Sequence, residues 1–196
     1  MYKFAKYRPE VDGLRGIAVL LVIIYHARFL TSDGFLLEGA IFSVDMFYVI
    51  SGYLMTTIVL NQIQRDGYLS YKIFIESRIR RIWPTYFFVL CLCILFFTIG
   101  MYETSLGVKQ FMQNAFAAAA FQSNHFFPFR IIEYAAENSL VMPLLHTWTL
   151  SVEVQFYTLF PFLILLIINF LKKKFLVVFF ILAILSIILA EILTSI

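Results

Sequence analysis

From about residue 82 to residue 101 the chain runs Ile82-Trp-Pro-Thr-Tyr-Phe-Phe-Val-Leu-Cys-Leu-Cys-Ile-Leu-Phe-Phe-Thr-Ile-Gly-Met101 without one charged side chain. A helix needs about 20 such residues to cross the hydrocarbon core of a bilayer. Four further apolar segments read as spans, at about 14–31, 40–60, 146–171 and 175–193. Composition agrees, with 62% of the 196 residues hydrophobic and 18% aromatic; a soluble domain is roughly half apolar. The expected fold class is all-α, a polytopic integral membrane helical bundle of about five transmembrane helices.

The segments between the spans differ in character. Residues 61–81 are polar and basic, and their apolar members Tyr68, Tyr71, Phe74, Ile75 and Ile79 recur at three- and four-residue steps. That period predicts an amphipathic helix lying at the interface. Residues 32–39 form a turn, and 102–145 are mixed, with a helical stretch near 107–121 and a loop near 122–145. There is no repeat, low-complexity tract or soluble domain. Lys3, Lys6 and Arg8 resemble the basic start of a signal peptide, but no small-residue cleavage site follows the first apolar run. That run is therefore read as a retained span.

Orientation follows from the positive charges. With the N-terminus in the cytoplasm and five crossings, residues 1–15, 61–81 and Lys172 to Lys174 face the cytoplasm. Of the 15 Lys and Arg, only Arg28, Lys109 and Arg130 then fall outside. A crossing at 107–121 would move the three lysines outward, so that stretch is read as non-crossing. Net charge is a mild +3, and no nucleic-acid partner is expected. Cys91 and Cys93, two apart in an apolar run, read as inert buried thiols.

Ionisable groups inside an apolar span are costly and default to facing protein or water. Arg15 and His26 stand eleven apart, about three helical turns, so they share one face at a separation of about 16 Å. His26 reads either as a packing histidine or as a general base, since imidazole titrates near neutrality. Arg15 alone reads as a charge anchor; paired with His26 it points to a site. His146 and Glu153, seven apart, are nearly in line on the fourth span. Glu153 is either a solvated carboxylate or the group that orients His26 and stabilises its imidazolium. Ser151 is a candidate nucleophile, with a helix-start or hydrogen-bonding role favoured. Arg78 and Arg81, three apart on one cytoplasmic face, suit bidentate phosphate binding or lipid-phosphate contact. Asp45, an acid in the second span, has Arg28 or His26 as expected partners, and Gly52 would permit close helix approach.

Several stretches, in order, carry a family likeness. They are Arg8-Pro-Glu-Val-Asp-Gly-Leu-Arg15-Gly-Ile-Ala-Val, Tyr25-His26-Ala, Ser43-Val-Asp-Met-Phe-Tyr-Val-Ile-Ser-Gly52 and Arg78-Ile-Arg-Arg81-Ile-Trp-Pro84. Gln122-Ser-Asn124 and Pro143-Leu-Leu-His-Thr-Trp-Thr-Leu-Ser-Val-Glu153-Val-Gln155-Phe-Tyr157 complete the set. Together they resemble the membrane-bound acyltransferase 3 family, especially its bacterial O-antigen and lipopolysaccharide O-acetyltransferase branch.

The resemblance implies an enzyme of the bacterial inner membrane. It would take an acyl group, usually acetyl, from cytosolic acyl-CoA and deliver it to a hydroxyl of a cell-envelope glycan across the membrane. Arg15, Arg78 and Arg81 would engage the acyl-CoA. His26 would be the general base or a transient acyl carrier, Glu153 its orienting group, with Asp45 and Ser151 in support. The partners are then acyl-CoA, the glycan acceptor and the lipid bilayer. No permanently bound cofactor is implied, and no metal, because no His, Cys and carboxylate cluster has ligand spacing. Two mild departures are Ser43-Val-Asp-Met-Phe-Tyr for the family's Gly-Val-Asp-Val-Phe-Phe, and Val154 for a second Glu. The larger one is length. Residues 1–196 read as the N-terminal part of the family's transmembrane domain, with fewer spans and no SGNH-type domain. One half of a split enzyme, partnered by a C-terminal half, and a truncated non-catalytic remnant are the alternatives. A transporter fragment is a weaker one, since no inverted repeat is visible.

Overall fold

The computed structural model describes residues 8–27, 29–31, 34–100, 108–127, 143–171 and 175–194. The expectations on Lys3, Lys6, Arg28, Arg130 and Lys172 to Lys174 lie outside the described residues. Two compact units divide the chain, Met1–Thr158 and Leu159–Ile196.

The first helix, α1 (Pro9–Ala27), starts with proline where a missing N–H costs nothing, has Glu10 and Asp12 in its first turn and His26 in its last. Acid at the N-terminus and an imidazole at the C-terminus both suit the helix dipole. A two-residue antiparallel pairing, Leu30–Thr31 with Gly34–Phe35, and a 3-10 turn over Glu38–Phe42 lead into α2 (Ser43–Asp66). The second helix ends at Gly67, whose φ of 78° is the left-handed cap conformation and whose N–H bonds Ile63 O. Glycine takes that backbone without the Cβ penalty.

The interfacial helix expected at 61–81 is not a separate element. Its first residues finish α2, and its remainder from Tyr71 is the start of α3 (Tyr71–Thr98), which continues through Pro84. With 28 residues this helix is about 42 Å long, against a hydrocarbon core of about 30 Å. Its first three turns carry Arg78, Arg80 and Arg81, and Arg80 pairs with Glu76 at 2.7 Å.

The amphipathic α4 (Val108–Ala119) buries Phe111, Ala115 and Ala118 against Leu90, Phe127 and Leu144. Phe111 stacks on Phe97 at 3.8 Å, and Tyr86 OH donates to Ala118 O at 2.8 Å. Residues 123–127 add a helical turn, and α5 (Thr147–Leu171) follows. Asn124 and Gln155 pair amide to amide at 2.9 and 3.0 Å, and Gln155 also donates to Phe121 O at 2.9 Å. Replacing Gln155 with Ala removes partners from both. The expected cost is about 1–3 kcal/mol, read as a lower unfolding midpoint in detergent. An unmoved midpoint would mean that water takes over both contacts.

In the second unit, the end of α5 buries Phe160, Ile164 and Ile167, three- and four-residue steps that keep them on one face. Phe160 meets Phe179 of α6 (Phe175–Thr194) edge to face at 6.4 Å.

Each of the five apolar segments contains a helix, but the first, expected to reach residue 31, has its helix end at Ala27, with Leu30–Thr31 a strand. Three described helices are long and apolar enough to cross a membrane: Ser43–Asp66, Tyr71–Thr98 and Thr147–Asn169. Val177–Ile192 is a shorter apolar helix. Glu10, Asp12 and Arg15 sit in the N-terminal half of α1 and keep it outside that group.

Candidate active site

Where α1, α2 and the start of α5 meet, they leave a cavity of about 700 Å³. Val22, Ile23, His26 and Ala27 face it from α1, Val44, Phe47 and Tyr48 from α2, and His146, Thr149, Leu150 and Glu153 from the α5 side. The wall is mostly apolar, and its few polar groups converge, the usual character of a small-molecule site.

His26 is fixed by its own helix. Its Nδ1 lies 2.8 Å from Val22 O. A carbonyl only accepts, so Nδ1 carries the proton and Nε2 of the neutral ring carries the lone pair. Two rings meet it at right angles: Tyr25 at 5.2 Å and His146 at 4.5 Å. His146 sits in the turn just before α5. Burial, reinforced by neighbouring His26, holds its imidazole below the usual histidine range; His146 is therefore neutral at pH 7.

Glu153 faces the same cavity but does not hydrogen-bond His26. Its Oε1 instead accepts from Ser51 Oγ at 2.6 Å and from Tyr157 OH. Tyr157 OH also reaches Ser51 Oγ at 3.3 Å. The expectation that Glu153 orients His26 is thus corrected in its contact: Val22 O holds the histidine, and two hydroxyls hold the glutamate. Charge-assisted hydrogen bonds of this kind keep a carboxylate in place.

Tyr157 has a second neighbour. The Arg78 guanidinium lies 6.0 Å from the centre of its ring and 5.5 Å from that of Phe74. The buried Arg78 Nε has no hydrogen-bond partner. Arg15, Arg81 and Glu153 all lie within electrostatic range of Arg78. A smaller cavity of about 230 Å³ opens beside it, bounded by Tyr71, Ile75, Arg78, Trp83 and Tyr157 among others. Tyr157 thereby stands between the arginine side and the His26 side. Of the three arginines expected to act together, Arg78 and Arg15 are half-buried and Arg81 is exposed.

Two expected residues fall elsewhere. Asp45 is exposed and is not among the residues around the cavity. It makes no ion pair with His26, and its other expected partner, Arg28, lies outside the described residues. Asp45 lies in the first turn of α2, and its charge reaches Tyr48. Ser151 is buried and donates to Thr147 O at 3.0 Å, one turn back along α5. That is the hydrogen-bonding role, and its proton is directed away from any nucleophilic use.

Sequence reasoning assigned no role to Ser51, Tyr48, His146 or Tyr157. The signal for Tyr157 was its spacing: four residues after Glu153, it shares that residue's helix face. Ser51 lies in a different helix, and no local spacing links it to Glu153. Among the described residues, no group of three or more His, Cys, Asp or Glu is placed to hold a metal ion.

The model of the acyltransferase 3 family, described as an acyltransferase domain, matches residues 8–194. The chain belongs to the acyltransferase 3 family. It is similar to the peptidoglycan O-acetyltransferase OatA of Listeria monocytogenes, 33% identical over 168 residues, 86% of this chain and 26% of that protein. It is also similar to the O-acetyltransferase OatA of Staphylococcus aureus strain NCTC 8325, 34% identical over 170 residues, 87% of this chain and 26% of that protein. The chain thus spans about a quarter of the length of the curated relatives it matches. No solved structure matches it.

Proposed function

We propose that this chain is the N-terminal part of a membrane acyltransferase. It moves an acyl group, acetyl by preference, from cytosolic acyl-CoA to a hydroxyl of a cell-envelope glycan. The observation that carries this reading is the mostly apolar cavity lined by His26, whose Nδ1–H is held by Val22 O, and by Glu153, whose partner Tyr157 lies beside Arg78, a guanidinium with no partner for its Nε. The arginine group of Arg15, Arg78 and Arg81 suits the phosphates of the donor. The apolar cavity suits its thioester end. His26 Nε2 accepts the proton of the acceptor hydroxyl as that oxygen attacks the thioester carbonyl. The carbon–sulfur bond then breaks, and the leaving thiolate takes the proton from the imidazolium. The products are the O-acyl glycan and free CoA.

Both named relatives are O-acetyltransferases, and one is named for peptidoglycan, which favours peptidoglycan over the lipopolysaccharide O-antigen as acceptor. The basic segments at 61–81 favour an inner-membrane orientation with the arginine side in the cytoplasm. The test supplies radiolabelled acetyl-CoA to inverted membrane vesicles containing the chain. Purified peptidoglycan fragments and lipopolysaccharide, enclosed in the vesicle lumen, serve as separate acceptors, and His26→Ala as control. Label passing to one acceptor only when His26 is intact supports the reading. If transfer appears only after a C-terminal half from a relative is added, the chain is half of a split enzyme. No transfer in either arm would leave a non-catalytic membrane protein.

A further inference from the structure

His146 is outside every role assigned above, yet among the described residues it is the ring nearest to His26: their centres are 4.5 Å apart and their planes cross at 89°. It also borders two cavities. One is the His26 cavity; the other, about 350 Å³, lies between α3 and the turn before α5 and includes Tyr86, Leu90, Cys93 and Leu144. His146 and Leu150 belong to the walls of both. An imidazole at this point is the natural neighbour of whatever charge His26 takes up.

We propose that His146 is a positioning residue for His26, its ring holding the His26 ring upright and stabilising the imidazolium that His26 becomes on accepting the acceptor's proton. The inference rests on the functional reading above. A T-shaped aromatic contact fixes the second ring's orientation without hydrogen bonds. Once His26 is charged, an uncharged ring beside it is attractive in the manner of a cation–π contact. A second imidazolium at that distance would repel it. Burial keeps His146 in the useful, uncharged form. The other titratable groups around the pair are Tyr25 on α1, Tyr48 on α2 and Glu153 on α5, with the charge of Asp45 reaching Tyr48. Among these, Glu153 has its carboxylate held by Ser51 and Tyr157.

Two variants separate this role from simple packing. His146→Phe keeps a ring that never charges; His146→Ala removes the ring. His146→Ala is expected to slow transfer about two- to thirtyfold, while His146→Phe stays within about threefold of the unchanged chain. The acid limb of the pH–rate profile should also change. In the unchanged chain, a proton on His146 sets a second positive charge beside His26 and deepens the fall in rate; His146→Phe lacks that contribution.

A second readout needs no turnover. In detergent micelles, the His26 ring-proton resonances should move in His146→Ala and return toward their original positions in His146→Phe. Resonances unmoved by either variant overturn the contact itself. Equal rates and equal acid limbs in all three chains, with His26→Ala still inactive, overturn the positioning role and leave the functional reading standing. A loss in His146→Phe as deep as in His146→Ala overturns it too, since the ring would not be what matters. If His26→Ala transfers normally, or the unchanged chain transfers nothing, the functional reading fails and takes this inference with it.

Discussion

Replacing His26 with Ala should lower acyl transfer by about a hundred- to ten-thousandfold, the contribution of one well-placed general base. The drop should fall on kcat, with donor affinity nearly unchanged. Val22 O holds the His26 Nδ1–H and leaves Nε2 as the accepting nitrogen, and His146 is the one other imidazole among the described residues that line the cavity. The side chain is exposed in the structure, so its removal leaves no buried void and the unfolding midpoint should not move. That pairing of a large rate loss with an unaltered fold is the diagnostic result. A chain that loses donor affinity and keeps its turnover rate would place His26 in binding instead.

The second large effect belongs to Arg78. Charge-assisted hydrogen bonds to a phosphate are each worth about 1.5–3 kcal/mol, so Arg78→Leu should weaken acyl-CoA binding about ten- to a hundredfold. Arg78→Lys should recover only part of this, because a single ammonium cannot reproduce a planar fork that also stacks on Phe74 and Tyr157. Stability should respond in the opposite direction. The buried Nε has no partner, so an apolar side chain relieves an unsatisfied donor, and the Leu variant should melt no lower than the parent. Titrating each variant with acyl-CoA by tryptophan fluorescence reads the affinity, since Trp83 borders the same small cavity. An affinity that ignores Arg78, with Arg15 and Arg81 intact, would move donor binding away from this helix.

Much of this protein was readable along one dimension. Every apolar run that looked like a span contains a helix, and the stretch near 107–121 is the amphipathic α4. The boundaries drifted where local signals competed. The basic turns at 71–81 have the period of an interfacial helix, but no breaker separates them from the apolar run that follows. Pro84 removes one hydrogen bond without ending α3, and Gly67, with its left-handed backbone, is the true break. Arg15 and His26 could be placed on one stripe because both lie on a single helix, where spacing is geometry. The same holds for His146, Glu153 and Tyr157 along the start of α5.

What spacing could not supply was contact between helices. Ser51 and Glu153 are 102 residues apart and meet at 2.6 Å. His26 and His146 come from α1 and the turn before α5 and meet ring to ring. The sequence by itself determined a helical membrane chain, because hydropathy and helical period are local properties, and its ordered motifs carried the resemblance to its family. Only the tertiary structure decided which hydroxyls hold Glu153, that Val22 O rather than Glu153 fixes His26, and that Asp45 is exposed. Those outcomes depend on how side chains from α1, α2, α3 and α5 pack into shared space, and no periodicity within one helix encodes the rotation of another.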